Sequence, residues 1–233
     1  MREQFHEELA GLSERMVEMT RLVGSAVGRA TTALLDADLA LAEGVIGADE
    51  QVDALQVELE ERSLALLARQ APVATDLRII VTGLRISADL ERMGDLARHV
   101  AKLARMRYPE SPIPPELRAT VLQMGQVAER IVAKAGSCIA SRDLTIAGEL
   151  ETDDDVMDAL HRELFTVLLA DDWEHGIETA VDVTLCGRYY ERFADHAVSV
   201  AQRVVYLVTG EYRRELDLPE LDHEEQEDSR VAL

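Results

Sequence analysis

Leu9, Leu12, Met16, Met19, Leu22 and Val23 recur at steps of three and four residues. That spacing puts them on one face of an α-helix and predicts a first helix from Phe5 to about Asp36. Asp36-Ala37-Asp38 breaks the pattern and offers a cap for the next helix. The second helical run extends from about Asp38 to Ala68, with kinks expected near Gly44 and Gly47. Pro72 closes it, because proline cannot continue the hydrogen-bond ladder. Further runs are predicted from Thr75 to about Met106, Glu116 to Ser141, Asp143 to Leu169 and Glu174 to Val208. The proline-rich stretch from Tyr108 to Pro115 reads as a linker.

The two halves repeat one another. Asp38-Leu39-Ala40-Leu41-Ala42 aligns with Asp143-Leu144-Thr145-Ile146-Ala147, and Val52-Asp53-Ala54-Leu55 with Met157-Asp158-Ala159-Leu160. Glu58-Leu59 and Glu163-Leu164 keep the same offset of 105 residues. Glu91-Arg92-Met93-Gly94-Asp95 then matches Glu191-Arg192-Phe193-Ala194-Asp195 at an offset of 100, so the second loop is shorter. The predicted architecture is all-α, two tandem repeat-related three-helix bundles. Their expected bounds are 1–107 and 116–211, with 108–115 separating them and 212–233 an acidic, disordered tail.

Composition agrees with this class: 47% of residues are hydrophobic and only 4% aromatic. Charge narrows the function. The chain has 45 acidic against 24 basic residues, a net charge of −21. Such a surface repels nucleic-acid phosphates and anionic lipid alike. Acids occupy the start where the apolar part of a signal peptide would sit. No uncharged apolar run approaches the ~20 residues that a membrane span needs. A cytoplasmic protein without direct membrane insertion is expected. Cys138 and Cys186 stand in apolar helical contexts and read as buried free thiols.

Four acid pairs share a spacing of four residues: Asp49/Asp53, Glu91/Asp95, Asp154/Asp158 and Glu191/Asp195. Chance alone supplies roughly eight or nine such pairs in a chain this acidic. These four differ because they recur at equivalent places in both halves. In an antiparallel hairpin, residues that face each other have numbers with a constant total. Asp49/Asp95 and Asp53/Glu91 share one total, centred on Pro72. Asp154/Asp195 and Asp158/Glu191 share another, centred between Glu174 and His175 in the break Asp171-Asp172-Trp173-Glu174-His175-Gly176. Each hairpin therefore brings four carboxylates to one level; in the first, Asp53 and Glu91 each lie 19 residues from Pro72, about 28 Å along the hairpin at 1.5 Å per residue. Four like charges are costly together unless cations neutralise them or protons are taken up. Hard oxygen ligands suit Mg²⁺, Mn²⁺, Ca²⁺ or iron. The competing reading is a solvated acidic face paired with Arg92 and Arg192. His99, four residues after Asp95, is a further ligand candidate, while His196 points elsewhere on its helix. The chain has no glycine-rich phosphate loop, no zinc spacing and no nucleophile–base set, so no catalytic residue and no organic cofactor site is assigned.

Pro72-Val73-Ala74-Thr75-Asp76-Leu77-Arg78, followed by Leu90-Glu91-Arg92-Met93-Gly94-Asp95-Leu96-Ala97, resembles the first signature of the PhoU family. Tyr190-Glu191-Arg192-Phe193-Ala194-Asp195-His196-Ala197 resembles its second. The resemblance runs from about Phe5 to Glu211. It departs at His99 and Ser199, where the family often has Asn, and at Ala194, which replaces the Gly of the first copy. The resemblance implies two three-helix bundles, with multinuclear metal clusters on the four acid pairs named above. The metal's identity stays open among iron, magnesium, manganese and zinc. It also implies negative regulation of phosphate uptake and of the phosphate-starvation response, by an adaptor between the cytoplasmic subunit of a phosphate ABC transporter and a sensor histidine kinase. The alternatives are an accessory protein of a low-affinity phosphate permease and a carboxylate-bridged metalloenzyme. A homodimer is expected, since amphipathic bundles commonly bury a further face.

Overall fold

The computed structural model describes residues 2–211; the acidic segment 212–233, expected to be a disordered tail, lies outside the described residues. Six α-helices span them: α1 (Arg2–Asp36), α2 (Leu39–Gln70), α3 (Ala74–Arg107), α4 (Arg118–Ser141), α5 (Leu144–Leu168) and α6 (Gly176–Thr209). A single 3-10 turn, Pro115–Leu117, leads into α4, and no strand occurs among the described residues.

Local chemistry explains the helix starts. The Asp38 carboxylate accepts the Leu41 N–H at 2.9 Å, and its repeat mate Asp143 accepts the Thr145 N–H at 2.8 Å. Both acids satisfy a backbone donor that the first turn would otherwise leave open. Trp173 closes the turn between α5 and α6, its Nε1 donating to the Gly176 carbonyl at 3.0 Å. α2 continues as one uninterrupted helix through Gly44 and Gly47. Ala42, Val45 and Val52 are buried along it. Their packing outweighs the cost of about 1 kcal/mol that each glycine imposes on a helix interior.

The apolar stripes assemble a central array of four helices. α1 packs on α3 and α4, and α6 also packs on α3 and α4. α2 covers α1 and α3, while α5 covers α4 and α6. Leu12, Met19, Val23 and Leu34 of α1 are buried with Ile86, Leu90 and Met93 of α3 and Met124 and Ile131 of α4. The two three-helix units are therefore joined along their length. They are not held apart, as the linker reading had it. Pro112, Ile113 and Pro114 are themselves buried, and the Ser111 hydroxyl donates to the Leu34 carbonyl at 2.8 Å. The physical reason is that α1 and α3 each carry an apolar face wider than one bundle can cover. Cys138 and Cys186 are free and buried within this core, and burial pushes both thiols up to about 12.

Polar staples set the register between α3 and α6. Buried Asp89 on α3 accepts from Arg203 at 2.5 Å and meets His196 Nδ1 at 3.1 Å, both on α6. Buried Asp182 on α6 pairs with Arg107 on α3 at 2.6 Å. His99 of α3 stacks on Tyr189 of α6, with ring centroids 5.3 Å apart. Rising numbers on α3 thus meet falling numbers on α6, and the two helices are antiparallel. Glu91/Asp95 and Glu191/Asp195 fall between these contacts. The acid pairs of α3 and α6 therefore lie side by side at one level of the molecule.

Candidate functional site

The α2–α3 hairpin carries the first quartet. Asp49 is buried, Asp53 and Glu91 are half-buried, and Asp95 is likewise half-buried. Arg98 bridges the hairpin: it lies 2.5 Å from Asp49 and also binds Asp95 at close range. Arg92 reaches Asp95 at 3.1 Å and Glu91 at 3.7 Å. Burial raises the Asp49 carboxyl above its ordinary range against the pull of Arg98, with Asp53 and Asp95 adding to the rise. Glu91 is raised by burial and then by Asp95, with Asp53 contributing from across the hairpin. The hairpin level inferred from residue numbers is the level at which these acids interact. Gly94 makes room for this: a methyl there would sit 3.3 Å from Asp49 Oδ1 and from Val52 Cγ1.

The α5–α6 hairpin carries the second quartet, and its balance of charge differs. Asp154 feels burial first, then Asp158, Asp195, Asp155 and Glu191, and its carboxyl is pushed up to about 7. Glu191 is raised by burial and by Asp195. Arg188 binds Glu191 at close range, and Arg192 lies 4.0 Å from Asp195. Among the described residues no arginine spans this hairpin as Arg98 spans the first, and the repeat mate of Arg98 is Val198. Asp154 Oδ1 and Glu191 Oε2 are buried and have no hydrogen-bond partner. Bare, buried carboxylate oxygens among like charges are what a cation would satisfy, so the donor set fits a hard metal ion. Among the described residues, no group of three or more His, Cys, Asp and Glu side chains is arranged so that it could hold a metal ion. Asp49, Glu91, Asp95, Glu191 and Asp195 are each paired with an arginine instead.

The acid run Asp153-Asp154-Asp155 shows how helix geometry sorts neighbours, since successive residues lie about 100° apart. Asp153 is buried against α4, paired with Arg130 and Lys134, each at 2.9 Å. Asp154 enters the quartet, and Asp155 is exposed. His99, the further ligand candidate, packs on Tyr189. His196 belongs to the Asp89 staple. Sequence reasoning missed Arg98 and Arg188. The signal was present, since each stands three residues from a quartet acid on its own helix.

The PhoU domain model matches this chain twice, over residues 16–104 and 121–204. The chain is 50% identical over 91% of its length to the phosphate-specific transport system accessory protein PhoU homolog 2 of Mycobacterium tuberculosis, all of which is covered. It is 48% identical over 94% of its length to PhoU homolog 1 of Mycobacterium leprae, covering 99% of that protein. Among solved structures, PhoU from Pseudomonas aeruginosa superimposes with a TM-score of 0.80 at 32% identity, covering 89% of this chain and 100% of that one. The phosphate transport system regulatory protein PhoU from Streptococcus pneumoniae gives a TM-score of 0.78 at 28% identity, with 90% and 99% covered.

Proposed function

The chain belongs to the PhoU family, and on that premise we propose that it is an accessory protein of a phosphate-specific transport system that represses uptake when phosphate is plentiful. The end-to-end match to relatives named for that role carries the reading. In this role the protein is an adaptor, not an enzyme. It links the transporter's cytoplasmic subunit to a sensor histidine kinase and holds the kinase in its repressing mode. The net charge of −21 favours protein partners over nucleic acid. Among the described residues no helix is long and apolar enough to cross a membrane.

The quartets supply the metal-binding part of this role. Asp49, Asp53, Glu91 and Asp95 would hold cations in the first unit, and Asp154, Asp158, Glu191 and Asp195 in the second. The bare oxygens of Asp154 and Glu191 support that assignment. A bound cation would neutralise the gathered charge and make each hairpin rigid.

Deletion of the gene in its host tests the role. Loss should raise phosphate uptake and switch on the starvation response in phosphate-rich medium. The wild-type gene should restore repression, and a variant lacking the four carboxylates of α3 and α6 should not. Unchanged uptake and an unchanged response after deletion would contradict the reading.

A further inference from the structure

A groove of about 250 Å³ runs between α3 and α6 at the level of the quartets. Arg92, Arg188 and Arg192 line it, together with His99, His196 and Asp95. Three guanidiniums and two imidazoles around one groove are unexpected in a chain whose net charge is −21. Arg92 and Arg192 are repeat mates brought together by the antiparallel pairing of α3 and α6. Arg188 has no counterpart, since its repeat mate is Ala88.

The partners of these arginines are all quartet acids. Arg92 pairs with Glu91 and Asp95, Arg188 with Glu191, and Arg192 with Asp195. While those carboxylates are free anions, the positive charge of the groove is taken up by them. Once they are neutralised, three guanidinium forks are left facing one groove. Such forks match the oxygen spacing of a tetrahedral oxyanion and bind it through paired, charge-assisted hydrogen bonds. The groove-lining His99 also has a buried Nδ1 with no hydrogen-bond partner.

We propose that this groove binds a phosphate-class oxyanion through Arg92, Arg188 and Arg192, and that the quartet carboxylates gate it. Bare quartets hold the arginines back, and neutralised quartets release them. The natural trigger rests on the metal-binding reading given above, whereas the groove itself can be tested without metal.

The test is equilibrium dialysis of the full chain, stripped of metal, against radiolabelled inorganic phosphate. The variant E91Q/D95N/E191Q/D195N keeps the side-chain shapes and removes their charge. It should bind phosphate at least roughly tenfold more tightly than stripped wild type. Adding Arg92→Gln and Arg192→Gln should abolish the gain. The milder variant E191Q/D195N, which frees only Arg188 and Arg192, should show part of it, and circular dichroism reports whether each variant keeps its helices. In metal-loaded wild type, the two arginine changes should weaken phosphate binding without changing metal content. No gain in either neutral variant with helices intact would overturn the proposal. So would phosphate binding to the loaded protein that survives loss of the arginines, because the anion would then sit elsewhere. Should wild type take up no metal while the neutral variants bind phosphate, the metal reading falls and the groove stands. Within a positive result, competition by phosphoserine separates a general phosphoryl site, which it would occupy, from one limited to the free anion.

Discussion

Asp154 shares its surroundings with four other carboxylates, and its own carboxyl is pushed up to about 7. An acid with a folded value above its ordinary one near 4 binds its proton more tightly in the fold than in the open chain. The stability it contributes is complete below about 4 and is lost as pH rises through about 7. Metal-free protein should therefore melt at progressively lower temperature from pH 4 to pH 8. Asp154→Asn should flatten that decline and melt higher than wild type at pH 8, as thermal melts with chelator would record. A steeper decline in the variant would show that Asp154 is not the strained group. At this scale the sequence was informative about which acids gather and silent about which are compensated. Arg98 and Val198 occupy equivalent positions, yet only one can bridge a hairpin. That difference became visible once the side chains of α2 and α3 were seen to face each other. Asp89 with Arg203 and Asp182 with Arg107 lie farther still from sequence reach, because each pair joins distant parts of the chain.

Helix positions followed closely from apolar periodicity, and the caps at Asp38 and Asp143 stood where the repeat put them. Packing between helices was less legible, because a stripe of apolar residues says which face is covered and not by what. α1 and α4 illustrate this. Gly125 on α4 faces Thr31 on α1, and a methyl there would lie 2.5 Å from Thr31 Cγ2 and 2.6 Å from its Oγ1. Thr31 cannot swing away freely: its hydroxyl donates to the Val27 carbonyl at 2.8 Å and meets the Tyr190 hydroxyl at 2.7 Å. Helix propensity alone would make Gly125→Ala stabilising by about 1 kcal/mol. Overpacking against a locked neighbour costs about 1–3 kcal/mol and should win. Urea unfolding should show a net loss of stability, and a gain would mean that α1 and α4 do not approach this closely.

The whole molecule is a pair of repeats folded onto each other across α1–α4 and α3–α6, and the α3–α6 pairing sets the acid pairs of those two helices side by side. The repeat was readable from offsets of 105 and 100 residues, but the long shared interface was not. Linker composition suggested two separated units, whereas Pro112, Ile113 and Pro114 are buried where the units meet. The central claim is that these acids are cation ligands and not a solvated acidic face. Elemental analysis of protein purified without chelator tests it most directly, comparing wild type with E91Q/D95N/E191Q/D195N. Wild type should carry bound metal that the variant loses, with both proteins equally helical. Equal metal content in the two would contradict the account.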